Sequence, residues 1–123
     1  MNDSILTSIK KMLGLTEEYE HFDPDITMHI NAVLMTLTQI GVGPSDGFRI
    51  TDKTQLWSDF IDETRSNILG SIQSYIHHKV KLMFDPPQNS FTIESMNRII
   101  NELEWRLNVA VDNTSPNIDE PLE

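Results

Sequence analysis

The sequence predicts an all-α domain, a small bundle of about four to five helices with an irregular loop between the second and fourth and a flexible acidic C-terminal tail. Three observations carry this reading. Apolar residues recur at spacings of three and four in separate segments, one stripe per helix. Glycine and proline fall at the edges of those segments or between them, Gly70 excepted. Beyond Asp112 the run N-T-S-P-N-I-D-E-P-L-E holds two prolines and three acids in eleven residues, a composition that cannot build a core of its own. The chain therefore divides into a helical domain, 1–112, and an acidic tail, 113–123.

Ile5, Leu6, Ile9, Met12 and Leu13 mark a short first helix, with Asp3 or Ser4 as its cap and Gly14 as its stop. An acidic stretch from Thr16 to Asp23 reads as a loop or a single turn. Asp23-Pro24-Asp25 opens the second helix, with Asp23 as N-cap and proline at the first helical position. Ile26, Ile30, Val33, Leu37 and Ile40 share one of its faces, while Met28, Ala32 and Met35 fall on the opposite side. Gly41-Val42-Gly43-Pro44 ends it, with a glycine available for a left-handed cap.

Ser45-Asp46-Gly47 is a turn, and Phe48-Arg49-Ile50 suits a short extended piece. Thr51 or Thr54 can cap a short third helix in which Trp57, Phe60 and Ile61 share a face. The fourth helix, about 64–84, is the most apolar, and Ile68, Leu69, Ile72, Tyr75, Ile76, Val80 and Met83 cover close to half its circumference. It is the expected centre of the bundle. Gly70 suggests a close helix contact there, and Lys79 can bury its stem while its ammonium reaches outward. Asp85-Pro86-Pro87 forces a turn, because proline cannot continue the helix and disfavours the α conformation before it. The long last helix follows, with Ser90 as N-cap and Ile93, Met96, Ile100, Leu103, Leu107 and Ala110 as its stripe. Glu94 with Arg98, and Glu102 with Arg106, stand at i,i+4 in the favourable order.

Composition excludes several classes of function. A net charge of −10 argues against a phosphate-clamping nucleic-acid binder, which needs a basic stripe. With no cysteine, the chain has no disulfide, zinc knuckle or thiol nucleophile, as suits a reducing cytoplasm. The first residues lack the basic and apolar regions of a secretory signal. No apolar run approaches the roughly 20 residues that span a bilayer, so a soluble chain without a membrane partner is expected.

The nearest approach to a chemical site is His21, Asp23, Asp25 and His29, whose spacing could in principle hold zinc or another transition metal. Helix capping and dipole complementarity already account for both aspartates. Adjacent His77 and His78 diverge on a helix and read as surface residues. No phosphate-binding loop and no nucleophile motif is present. The expectation is therefore no enzyme, no catalytic residue, no metal and no cofactor.

What remains is a surplus of apolar side chains. Met28 and Met35 on the second helix, and Trp105 and Val109 on the fifth, lie off the core stripes. They are either sandwiched between helices of the same chain or form a subunit interface, where Met and Trp are enriched. Periodicity leaves both readings open.

The order of these segments carries a resemblance. D-P-D opens a helix ending in I-G-V-G, W-S-D-F follows, then Y-I-H-H-K-V-K-L-M-F-D-P-P, and R-I-I-N-E-L-E-W-R-L lies in the closing helix. Over about residues 3–111 the chain resembles the head–tail connector (adaptor) proteins of tailed bacteriophages. The resemblance implies a small helical virion protein of the head–tail neck, assembled in the host cytoplasm as a twelve-fold homo-oligomeric ring beneath the portal. Its implied partners are its own copies, the portal protein, and a stopper or tail-completion protein. Double-stranded DNA would pass through the channel without sequence-specific binding. The alternative is a small acidic regulatory module, antirepressor or antitoxin-like.

Overall fold

The computed structural model describes residues 1–114 and, among them, shows five α-helices and no β-strand. The helices are α1 (Ile5–Met12), α2 (Asp23–Ile40), α3 (Trp57–Phe60), α4 (Leu69–Phe84) and α5 (Ser90–Thr114), with a 3-10 turn at Glu63–Ile68 before α4. α5 runs two residues into the predicted tail, and the rest of that tail lies outside the described residues.

α4 is the centre, packing against α1, α2 and α5. Its buried stripe is Ile72, Tyr75, Ile76 and Val80. Facing it are Ile26, Ile30, Val33, Leu34 and Leu37 of α2, and Ile5, Leu6 and Ile9 of α1. The inner stripe of α5 adds Ile100 and Leu107, flanked by half-buried Leu103. Removing these side chains from water is the main stabilising term, about 1.5–3 kcal/mol for each fully buried one.

Several sequence expectations shift at the helix ends. Ser4 caps α1, its Oγ accepting from the Thr7 amide at 3.2 Å. α2 begins at Asp23 itself, after Phe22, so proline occupies the second helical position and Asp23 is not the cap. The Asp23 carboxylate is instead held 2.9 Å from the Lys10 ammonium. Neither Thr51 nor Thr54 caps α3; Leu56 precedes it and Asp59 Oδ2 accepts from the Leu56 amide at 2.8 Å. Asn89, not Ser90, caps α5, accepting from the amides of Phe91 and Thr92 at 2.8 and 3.2 Å. The first turn predicted for the fourth helix is 3-10 and is kinked at Arg65, which leaves helical geometry. Gly70 is exposed with open space around it, so it marks no helix contact, and Met83 points to solvent rather than into the core.

The segment between α2 and α4 is irregular, as expected, yet firmly seated. Gly41 adopts the left-handed conformation that caps α2, with φ of 104°. A Cβ there would meet Val111 Cγ1 at 3.0 Å, so this glycine also lets the end of α5 approach α2. Gly43 has φ of 88° and lies so close to the Phe60 ring that a side chain would collide with it. Val42, Ile50, Trp57, Phe60 and Ile61 all enter the core. Trp57 satisfies its indole by donating from Nε1 to Ser8 Oγ at 3.1 Å, which ties α3 to α1.

Candidate functional site

The two helices that flank α4 each bury one face and leave the other in water. On α2 the core residues cluster around Ile26, Ile30 and Leu37, and at about 100° per residue Met28 and Met35 fall on the far side. They are 61% and 63% exposed. On α5 the stripe through Met96, Ile100 and Leu107 faces inward, and Phe91 and Trp105, 69% and 66% exposed, face outward. Val109 is half-buried and shares their side by spacing; it lines a depression of about 290 Å³ with Arg65 and Arg106. Among the described residues nothing covers Met28, Met35 or Trp105, whereas Val109 is partly sheltered by the turn before α4. The structure brings Met28 and Met35 onto one face and Trp105 and Val109 onto another.

The α2 face is concave. Between it and the 46–49 segment lies a groove of about 690 Å³, whose walls include Met28, Ala32, Met35 and Phe48. Asn31 builds the far wall. Its Nδ2 donates to the Ile50 carbonyl at 2.9 Å and its Oδ1 accepts from the Ile50 amide at 2.8 Å, holding the loop against the helix. Ile50 is thereby pulled into the core, and Phe48 rests on Phe60 with ring centroids 5.3 Å apart. Asp46 and Arg49 stand exposed along the groove. Sequence reasoning missed Asn31, although a mid-helix asparagine, disfavoured by its competing amide, is itself a signal. It also missed Phe91, fourteen positions before Trp105 on the same face.

The α5 face is convex and studded with charge. Glu102 and Arg106 pair at 2.7 Å as the spacing predicts, while Arg98 turns instead to Ser95 Oγ at 3.3 Å. Beneath this face, Tyr75 donates its hydroxyl to Glu104 Oε2 at 3.1 Å, and the Lys79 ammonium lies 5.3 Å from the centre of the Tyr75 ring. Burial first, and the Glu104 carboxylate second, push the Tyr75 phenol well above its ordinary range.

The His21, Asp23, Asp25 and His29 cluster does not converge. Asp23 faces Lys10, His21 packs against Phe22 with centroids 4.8 Å apart, and His29 turns to Phe84 at 6.4 Å. Among the described residues no group of three histidines or carboxylates is placed to hold a metal ion. His77 and His78 are half-buried rather than surface residues, their rings 5.1 Å apart. Burial, helped by His78 and Lys81, lowers the His77 pKa, against a hydrogen bond with the Met12 backbone. No described helix is long and apolar enough to cross a membrane.

The described residues form a cysteine-free helical bundle with apolar side chains on two outward faces and no metal-ligating cluster, features that suit an assembly protein. Comparison with protein families agrees. The model of the phage connector protein family matches residues 5–114, and the chain belongs to that family. The match begins at the first residue of α1 and ends at the last of α5, so it takes in every described helix. It favours the connector reading over the regulatory module. Neither the curated proteins nor the solved structures compared with the chain contain a match.

Proposed function

We propose that this chain is a structural component of the virion neck, where copies of it form a ring beneath the portal and extend the DNA channel from head to tail. The observation that carries the reading is the family match across the whole helical domain. The outward apolar faces support it, since Met28, Met35, Phe91 and Trp105 are anchors of the kind that subunit contacts use. The ring implied by the resemblance has twelve copies and meets the portal on one side and a stopper or tail-completion protein on the other. The net charge of −10 suits a lumen that repels DNA phosphates and lets the duplex slide. The role is architectural, with no catalytic step assigned to any side chain.

The test is the mass of the purified chain, measured alone and with purified portal, together with images of the product down its axis. A ring, free or seated on portal, is the expected product. A chain that stays monomeric or dimeric in both conditions, and never binds portal, would sink the reading.

A further inference from the structure

Two surfaces of this chain match each other in length, shape and charge. The groove on α2 continues into a second depression of about 410 Å³, the two sharing Met28, Asn31 and Arg49. Together they extend along α2 from Thr38 back to Pro24, which at 1.5 Å per residue is about 21 Å. On α5 the two exposed aromatics, Phe91 and Trp105, are also fourteen residues apart, again about 21 Å along the axis. A concave strip centred on Met28 and Met35, and a convex face with an exposed aromatic at each end and charged side chains between, thus occur over the same length on one molecule.

Charge repeats the match. Arg49 and Asp46 lie exposed at the groove, and among the described residues neither forms an ion pair. On the outward side of α5 stand Arg98, with no carboxylate partner among the described residues, and Glu102, which shares its carboxylate with Arg106 in an exposed pair. Within one chain the two surfaces cannot meet, because α2 and α5 both turn their inner faces toward α4 and their outer faces away from it.

We propose that the α2 groove of one copy receives the outer face of α5 of the next, so that the chain mates with itself head to tail. The inference rests on the ring reading and deepens it. A contact between two different faces leaves one groove and one ridge free at the ends of every partial assembly, and such contacts grow into a closed ring where the rotation per copy closes. Methionines suit the groove, since their unbranched side chains adapt to an aromatic ridge. Like-to-like pairing would seat each face on its own copy about a two-fold axis, and would stop at two copies.

The chain has no cysteine of its own, so introduced thiols report only the pair under test. Met35→Cys and Asn101→Cys sit on exposed positions, the second one turn from Trp105, which stays in place. Each variant is assembled separately and as an equimolar mixture, alone and on portal rings, and treated with a short bis-maleimide. The mixture is expected to give a covalent dimer of one variant with the other, and each variant alone little or none. A chain carrying both substitutions should give a ladder of covalent oligomers. Assemblies that form normally but cross-link Met35→Cys to itself, or only to portal, or give no mixed product, overturn the head-to-tail pairing and leave the ring standing. Absence of any assembly by the unsubstituted chain, alone or with portal, removes both.

Discussion

Lys10 Nζ lies 2.9 Å from Asp23 Oδ1, joining the last turn of α1 to the first turn of α2. The lysine is only 2% exposed and also donates to the Glu17 carbonyl at 3.0 Å. Its partner is the more exposed member of the pair, so removing either one has unequal effects. Asp23→Ala strands a buried ammonium on a single carbonyl and is expected to cost about 3 kcal/mol. Lys10→Met leaves Asp23 Oδ1 buried without its ammonium, but on a carboxylate that is 26% exposed and can turn to water, so a smaller loss, about 1–2 kcal/mol, is expected. Urea unfolding of the two variants checks the order, and equal losses would show that the pair is not what holds α1 in place.

Tyr75 connects the central helix to α5 through its hydroxyl bond with Glu104. Tyr75→Phe keeps the ring in the core and under the Lys79 ammonium, and deletes only that bond and the long hydrogen bond from Lys79 Nζ to the hydroxyl at 3.5 Å. The expected loss is about 1.5–3 kcal/mol, the range for a hydrogen bond to a charged group. The reading is a shift of the urea midpoint at unchanged slope.

His77 supplies a pH dependence whose sign is fixed. Its pKa is lower in the fold than in the unfolded chain, mainly through burial. The unfolded state therefore binds the proton more readily, and stability falls as pH drops from the ordinary histidine value toward the lower folded one. From about pH 7 to about pH 5, the wild type should lose more stability than His77→Gln. Parallel curves for the two proteins would refute the assignment.

The two tryptophans form a natural pair of probes. Trp57 is buried and Trp105 is largely exposed. Trp105→Ala should change monomer stability by no more than about 0.5 kcal/mol while weakening ring assembly. Trp57→Ala should cost about 3–5 kcal/mol, as a large core side chain is lost. In Trp57→Phe, where Trp105 alone emits, fluorescence should shift to shorter wavelength on assembly. No shift would place Trp105 outside every interface.

The sequence made the helices legible because their stripes repeat with the helical period over many residues. The α4 and α5 core positions, and the Met28, Met35 and Trp105 faces, follow from that repetition. Helix ends were less legible because capping depends on one residue's geometry. Asp23 had the right chemistry for a cap but meets a lysine thirteen positions away, a contact that no local rule contains. Asn89 and Ser90 are both good caps, and only the backbone decides between them. The 42–62 segment gave the right core aromatics but no hint of its anchor, since Asn31 and Ile50 are nineteen positions apart. The inward or outward placement of Met83 depends on where α4 ends against its neighbours, which periodicity does not state.

The pair of hydrogen bonds between the Asn31 amide and the Ile50 backbone has a consequence for energetics. It fastens the two walls of the α2 groove to one another before anything enters it. A cleft that is already shaped in the free chain avoids most of the entropy cost that ordering a loop would add to association. Asn31→Ala should then leave the groove's side chains present but its width unset, and affinity should fall mainly through that lost preorganisation. A side chain that need never touch the partner thereby decides how tightly the partner is held.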